Sequence, residues 1–564
     1  GPALDRVPLL ILFSMDALSL IFSSVKNVGE TSDDENHAFL KRVCSILTLL
    51  GQTQLAVLWG TSNCEVDEPT HFHIYLEALV ALHRHNNMLT SEIINKTWAC
   101  FLRNKTIANN PTFCSFIPQI LEISKTKISR GLHPSLSQSK ILYPDIDFGS
   151  FAEKHGAWTT LRRSTKDIIQ LITSLYPSDA FLHAASWLLK LTSIPITTKE
   201  VAETGSEYDE WDSSTSFSSS VLNKLFSNDA TFIKDLITCQ IRMENITISF
   251  RDLAKKCIQA LVDYKTEALL IQSLILTCFE AFVPFLQFDY ELLLKVIHKI
   301  FFIISYRAPE EGNHAAEFRA FECRRTAATL WIRISLAHYK LLIGIIDDLT
   351  KHIQLSYEHV NCTSLERSLM AEGLVVISNG YKNFEKQSKY LSELLAPIKE
   401  DWMGTEMEQA LSSPEAFISF VGLDNACEEE FKVQKRRYTL NMCQRSIHGV
   451  LKRVEIPKDP QEQIKGGYKT RLEDEPRNPA TSVVLPFLSN MFHLNRVFSG
   501  IWDPSIRVKI SPVFQPALNI HESERAAIFG IDGRSVPDEK PKEDKSKKTN
   551  VDNMKTFLFK LNES

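Results

Sequence analysis

Between Glu322 and Ile345 the chain reads ECRRTAATLWIRISLAHYKLLIGI, with Arg324, Arg325, Arg333 and Lys340 and, after Glu322, no acidic residue until Asp347. A second segment, KVQKRRYTLNMCQRSIHGVLKRV from Lys432 to Val454, holds seven Lys or Arg and no Asp or Glu. A third, WTTLRRSTK, carries Arg162, Arg163 and Lys166. Smaller groups are Arg251 with Lys255 and Lys256, and Lys295 with Lys299. Cations with no acid between them suit phosphate. Each one brought to a phosphate releases counterions and gives affinity without reading bases, and an arginine can grip two phosphate oxygens at once. The bland alternative is a solvated helix face, with Glu428, Glu429 and Glu430 neutralising the second run from its N-terminal end.

Helical geometry says which of these side chains are available. Advancing about 100° per residue and centring the core on Ala327 puts Ala320, Cys323, Leu330, Trp331 and Ile334 on a buried stripe. Arg325 and Thr329 then face the other way with Arg333 near them, and Arg324 sits at the flank. With Ile447 at the core centre of the second run, Leu440, Cys443, Val450, Leu451 and Val454 join the core. Arg437, Asn441, Arg445, His448 and Lys452 fall on one polar flank, a cationic track three to four turns long. Arg436 stands beside its start.

Other chemistry is hard to find. There is no P-loop, dinucleotide fingerprint, GxSxG, HExxH or EF-hand loop. The one metal-like group is His71, His73, His83 and His85, but HxH pairs on a helix point to different faces and make a poor ligand set. No residue is placed as a general base beside a nucleophile. The reading is a non-enzyme with no metal and no cofactor of its own.

The elements that must position these residues are helices. Apolar residues recur at three-to-four spacing along almost the whole chain, and period-2 patterns with hairpin turns are nearly absent. The pattern predicts helices over 150–176, 178–194, 217–227, 228–243, 248–263, 314–337, 338–358, 363–379 and 430–454, among others. They come in pairs of about 40–50 residues, the spacing of HEAT-type repeats. The expected fold is all-α, an α-solenoid of antiparallel helix pairs. One large bundle is the alternative, but some twenty helices cannot share one core. Helix pairs are expected over 1–128, 150–198, 221–455 and 478–534, with the start of a terminal helix at 551–564. Between them lie a loop at 129–149, an acidic Ser-rich loop at 199–220, a polar insertion at 456–477 and a charged linker at 535–550.

Composition narrows the class. The 564 residues carry 63 Lys or Arg against 68 Asp or Glu, a formal net charge of −5, so any nucleic-acid contact must be local. Eleven cysteines with no CxxC pair fit a reducing compartment rather than a disulfide framework. The apolar windows 8–25 and 268–288 contain Asp16, and Gln272, Glu280 and Pro284, and read as buried helices rather than membrane spans. The chain opens on Gly1-Pro2, with no Met, as a fragment of a longer protein would.

Longer stretches carry a resemblance. The segments ERSLMAEGLVVISNGYKNFEKQSKYLSELLAPIKE at 366–400, SPEAFISFVGLDN at 413–425 and GVLKRVEIPKDPQEQIKGG at 449–467 closely resemble the middle of exportin-5-type receptors. FLKRVCSIL at 39–47, DFGSF at 147–151 and ERAAIFG at 524–530 extend the match. These receptors belong to the karyopherin-β family of nuclear export receptors, built from HEAT repeats. The resemblance implies double-stranded RNA cargo, including hairpin precursors of microRNA with a short 3′ overhang. It implies as partners the GTP-bound GTPase Ran, which itself holds the nucleotide, and nucleoporins. It also implies shuttling between nucleus and cytoplasm.

The resemblance also places site residues. An arginine of the family's overhang-binding set falls on Arg325, and a serine one turn later falls on Thr329, which keeps the hydroxyl. A glutamine falls on Ser364, whose shorter side chain puts that contact in doubt. A further arginine falls on Arg437, or on Arg436 if the alignment slips by one. With Arg324, Arg445, Lys452, Arg162 and Arg163 these form the candidate RNA-binding set. Family members are about twice as long, so this stretch alone is expected to bind RNA weakly and Ran hardly at all. Two other readings compete: a HEAT scaffold for acidic protein partners, and an import-type karyopherin or one carrying transfer RNA. An import receptor would need an acidic inner face, and the acid-free run 432–454 argues against it.

Overall fold

The structure is a computed structural model of the chain and describes residues 16, 19–21, 23, 34–59, 68–69, 71–85, 87–129, 147–196, 198, 201–227, 235–243, 246–306, 314–359, 362–425, 430–518, 554, 557–558 and 561. Two compact units make it up, Gly1–Val296 and Ile297–Ser564. The first unit contains α1 (Asp34–Leu49), α2 (Phe72–Arg84), α3 (Met88–Arg103), α4 (Ile117–Lys127), α5 (Phe151–Leu175), α6 (Pro177–Thr192) and α7 (Ser206–Phe226). Then come the strands β1 (Gln240–Met243) and β2 (Ile246–Ser249), and the helices α8 (Phe250–Asp263) and α9 (Leu269–Phe282). Helix α10 (Tyr290–Ile304) leads into the second unit, which holds α11 (His314–Leu342), α12 (Ile346–His359), α13 (Ser364–Ser378), α14 (Phe384–Leu394), α15 (Ala396–Trp402) and α16 (Thr405–Ala410). It continues with α17 (Pro414–Phe420), α18 (Glu430–Arg453) and α19 (Leu488–Gly500), with shorter helical turns between.

Each unit repeats one packing rule. In the first, α3, α5, α7 and α9 lie side by side in one layer, and α4, α6 and α8 follow each other in a second. In the second unit α13 is flanked by α11 on one side and α18 on the other. Consecutive members of a layer run parallel, because the helix between them returns the chain. Arg324 of α11 meets Glu366 near the start of α13, and Ile343 just beyond α11 meets Gly380 just beyond α13. Each helix needs apolar faces toward both its partner and its neighbours, which is why the 3.6 pattern is so continuous. The chain is an all-α helical solenoid, as its periodicity requires.

Local signals fix several boundaries. Asn87, Ser150, Ser249, Thr363 and Asn383 cap α3, α5, α8, α13 and α14 with their side chains. At α13 the cap is a full box: Thr363 accepts from Glu366 N–H while Glu366 accepts from Thr363 N–H. The expected break between 314–337 and 338–358 appears as a kink at His338 (φ −127°, ψ 18°) inside α11. Gly373 lets α11 and α13 approach, since a Cβ there would collide with the Trp331 indole, whose N–H donates to the Met370 carbonyl.

Two expectations need correction, and the polar insertion at 456–477 takes a definite place. Of the loop expected over 199–220, residues 206–220 are helical and join the helix expected over 217–227 in α7; Trp211, Phe217, Val221, Leu222 and Leu225 supply half of its buried positions, and Ser213, Ser214, Thr215, Ser218 and Ser220 the other half. The helix expected over 228–243 holds at 235–238, its part at 228–234 lies outside the described residues, and its end at 240–243 is instead a strand in an antiparallel hairpin that pairs Gln240 with Ser249 and Ile241 with Ile248. The insertion 456–477 is folded: Tyr468 is buried and its hydroxyl bonds Gln387 Oε1 at 3.0 Å. Residues 130–146, 519–550 and most of 1–33 and 551–564 lie outside the described residues, and with them the charged linker and most of the 129–149 loop. Two stretches, Leu269–Phe288 and Arg319–Leu355, are long and apolar enough to cross a bilayer by length and composition. The first packs Ile271, Ile275, Leu276, Phe279 and Phe282 into the core.

Candidate nucleic-acid interface

The layer α11–α13–α18 collects the candidate residues of the second unit. Arg324 Nε donates to Glu366 Oε1 at 2.6 Å, which joins α11 to the first turn of α13. The Tyr438 hydroxyl of α18 donates to the Cys362 carbonyl at 3.2 Å, just ahead of α13. The guanidinium of Arg367 lies 5.8 Å from the Tyr438 ring. Arg325 is the sequence neighbour of the first contact and Arg437 of the second, and Ser364 lies two residues from both Cys362 and Glu366. The three therefore lie near one level of the layer, at the first turn of α13 and two turns into α18. Thr329, one turn along α11, is exposed and its hydroxyl donates to the Arg325 carbonyl at 2.9 Å.

Exposure follows the helical wheel closely. Ala320, Cys323, Ala327, Leu330, Trp331 and Ile334 are all buried, and Arg325, Thr329, Arg333 and Lys340 are exposed. On α18, Leu440, Cys443, Ile447, Val450 and Val454 are buried; Arg437, Asn441 and Arg445 are half-buried; His448 and Lys452 are exposed. Leu451 departs from expectation. It belongs to the outer face and is 51% exposed.

The premise that these cations lack acids inside the protein is overturned. Arg324 is buried, and it holds both Glu366 and, through Nη1, the Tyr306 carbonyl at 3.3 Å. Arg325 Nη2 reaches Glu322 at 2.7 Å, the acid one turn before the run. Arg436 Nε reaches Glu406 of α16 at 3.1 Å and stacks over Phe420. Arg453 pairs with Glu372 of α13 at 2.5 Å. Arg437 donates from Nε to the Val421 carbonyl at 2.8 Å and lies over the Phe557 ring. Acid-free in sequence is not acid-free in space: the preceding turn brings Glu322, and packed helices bring Glu366, Glu372 and Glu406.

The smaller patch of the first unit is used internally. Arg162 of α5 donates from Nη2 to Asp212 Oδ2 and Ser216 Oγ of α7, both at 2.6 Å, and its guanidinium sits over Trp158. Burial, with Arg162 beside it, holds the Lys166 amine below the ordinary lysine range. Arg163 is exposed. Lys255 pairs with Asp289 and Lys295 with Glu291. The histidines do not converge either. His83 is fully buried with Nδ1 accepting from Trp98 Nε1–H at 3.3 Å, and burial drives its pKa well below the usual histidine value. Among the described residues no group of three His, Cys, Asp or Glu has metal-binding geometry.

Sequence reasoning missed Arg367 and Tyr438, which meet where α13 packs on α18, and the carboxylates Glu366 and Glu372 that neutralise Arg324 and Arg453. One signal was available: Thr363 with Glu366 three residues later is the capping-box pattern, and it marks the start of α13.

Residues 34–564 match the family model described as Exportin-5. The chain is 28% identical to exportin-5 of Homo sapiens over 555 residues, covering 94% of this chain and 45% of that protein. It is 27% identical to exportin-5 of Mus musculus over 555 residues with the same coverage, and 24% identical to exportin-5 of Dictyostelium discoideum over 543 residues, covering 95% and 46%. It thus spans about half the length of the curated relatives it matches. A helical solenoid matched to that family along nearly its whole length belongs to the Exportin-5 family.

Proposed function

We propose that the chain is part of a nuclear export receptor that holds double-stranded RNA on the exposed face of α11, α13 and α18, together with the GTP-bound form of Ran. The observation that carries this reading is the nearly shared level of Arg325, Ser364 and Arg437. Family resemblance singles out those positions, and three parallel helices carrying them at nearly one level support the reading. A terminal phosphate or an overhang needs several donors at one point, whereas the length of a duplex needs a track, which Arg445, His448 and Lys452 continue along α18. A-form RNA hides its base edges in a deep major groove, so recognition goes through shape, phosphate and 2′-hydroxyl. The receptor itself performs no catalysis and binds no cofactor; the nucleotide belongs to Ran. Passage past nucleoporins and shuttling between nucleus and cytoplasm complete the role.

Internal ion pairs do not prevent phosphate binding. The Arg325–Glu322 pair is half-exposed, and such pairs are worth little in water, so a phosphate can displace the acid. Arg324 and Arg162 have their guanidinium bonds committed to buried or half-buried partners and serve better as scaffold. The test is a titration of the chain with a hairpin RNA bearing a short 3′ overhang and with its blunt counterpart, at low and high salt. Expected are tighter binding of the overhang hairpin, a steep loss with salt, and a drop of about tenfold or more for Arg325→Glu with Arg437→Glu. Equal binding by the double variant at unchanged helicity would refute the assignment.

A further inference from the structure

A concavity of the second unit lies beside the N-terminal part of α18, toward α15–α17. A cleft of about 300 Å³ is lined by Lys432, Lys435, Arg436 and Thr439 on one wall and by Asp401 and Glu406 on the other. Met407 and Phe420 form its floor and are themselves almost wholly buried. The four residues of the α18 wall stand at i, i+3, i+4 and i+7, so they form one continuous stripe. The Arg436 guanidinium is fixed above the Phe420 ring at 5.6 Å and faces Glu406 at 3.1 Å.

We propose that this cleft binds a peptide segment carrying a phosphorylated serine or threonine with an arginine or lysine close by. Three cations and a hydroxyl on one stripe can converge on a single phosphate, and charge-assisted bonds to a dianion are the strong ones. The opposite wall holds Asp401 and Glu406, and a cation on the ligand can take the place of Arg436 beside Glu406 as the phosphate draws Arg436 toward itself. Burial, with Glu400 adding to it, raises the Asp401 carboxyl above the ordinary aspartate range while Lys435 pulls it down, so that wall gains by meeting positive charge. An RNA strand fits less well: its phosphates follow one another at every residue, and the second would be pressed against Asp401 and Glu406. One anion flanked by a cation matches both walls, and the apolar floor accepts the methylenes between them. The cleft shares Arg436 with the candidate RNA-binding set, but its test rests on Lys435 and Asp401, which that set does not contain.

The test uses the whole chain and three fluorescent peptides of one length in anisotropy titrations: one with arginine three residues before phosphoserine, the same peptide unphosphorylated, and the phosphopeptide with that arginine replaced by alanine. The arginine–phosphoserine peptide is expected to bind at least about tenfold tighter than the unphosphorylated one. Lys435→Glu should abolish that difference, and Asp401→Asn should weaken the arginine-bearing peptide while leaving the alanine peptide unchanged. Equal affinity for phosphorylated and unphosphorylated peptides overturns the proposal. So does a single-stranded oligoribonucleotide that binds tightly, is lost in Lys435→Glu and finds no competition from the phosphopeptide. Circular dichroism on both variants shows whether a loss reflects the site or the fold.

Discussion

In the first unit Lys127 is 2% exposed and its Nζ donates to the His85 carbonyl at 2.6 Å. In the second, Arg324 is 8% exposed and its Nε donates to Glu366 at 2.6 Å. Both are buried cations between packed helices, yet their surroundings differ. Among the described residues no carboxylate pairs with Lys127, and burial alone lowers its pKa to about 7. Arg324 has a fully buried carboxylate that also caps a helix. The difference follows from the two side chains. A lysine can shed its proton and become a neutral amine when water is taken away, whereas an arginine keeps its charge and needs a matched partner. One unit is thus built to depend on pH near neutrality, and the other has fastened its buried charge in place.

The strongest way to break that contrast is to remove the partner of Arg324. Glu366→Gln keeps the shape and part of the cap but leaves a buried guanidinium uncompensated. The expected cost is about 3–5 kcal/mol, read from urea denaturation. Replacing both members by apolar residues of similar size, Arg324→Met with Glu366→Leu, should recover much of the loss, because the pair's own net contribution is small once desolvation is counted. A cost below about 1 kcal/mol for Glu366→Gln would show that Arg324 reaches water and that the two units do not differ in kind.

Next in size is the pH dependence of the first unit. The folded pKa of Lys127 lies below the unfolded one, so between about 7 and the ordinary lysine value the unfolded chain binds the extra proton. Stability must therefore rise with pH across that window, by about 1 kcal/mol per pH unit just above 7, and the deficit is complete below it. His85, lowered to about 4 by burial and by Lys127, adds the same sign between about 4 and the ordinary histidine value. His83 acts in the same direction. Lys127→Met should flatten the slope above pH 7 and raise the melting temperature at pH 6. If the slope survives in that variant, another group causes it.

How much of this was legible beforehand depends on what each feature is made of. Helical class, the faces of α11 and α18 and the break at His338 all follow from apolar spacing, which is a local property of the chain. The first part of helix α7 was hidden because half of its buried positions are Ser and Thr, small polar residues that read as a loop until neighbouring helices show them packed. The hairpin at 240–249 was hidden because IRM and ITIS fit either period over so short a run. The site was half legible. Arg325, Thr329 and Arg437 could be put on outer faces from spacing, but the partners Glu366 for Arg324, Glu406 for Arg436 and Asp212 for Arg162 lie 42, 30 and 50 residues away in sequence. Solenoid packing decides those pairings, and no window of sequence contains it.

A smaller effect separates the two arginines of the α5 patch. Arg162→Ala removes two hydrogen bonds to α7 and the stacking on Trp158, and should cost about 1–2 kcal/mol in thermal or chemical denaturation. Arg163→Ala, one residue on and exposed, should stay within about 0.5 kcal/mol. Equal costs would mean that the α5–α7 contact does not depend on the buried side of the pair.

The smallest stability effect is expected where the functional effect is largest. Arg325 has about half of its side chain in water and a neighbour, Glu322, on its own helix, so Arg325→Ala should leave the unfolding midpoint nearly unchanged. Arg437 is tied to the Val421 carbonyl beside Gly422, whose φ of +65° closes the turn after α17, and it covers Phe557; Arg437→Ala should cost about 1 kcal/mol. Both variants should lose affinity for the overhang hairpin by similar factors, because each removes one cation from the same level of the layer. The split between equal binding loss and unequal stability loss is what distinguishes a shared ligand site from two separate structural roles. If Arg325→Ala destabilised the fold as much as Arg437→Ala, the outward face of α11 would be structural, and Lys340 and Arg333 would be the cations left to examine on that helix.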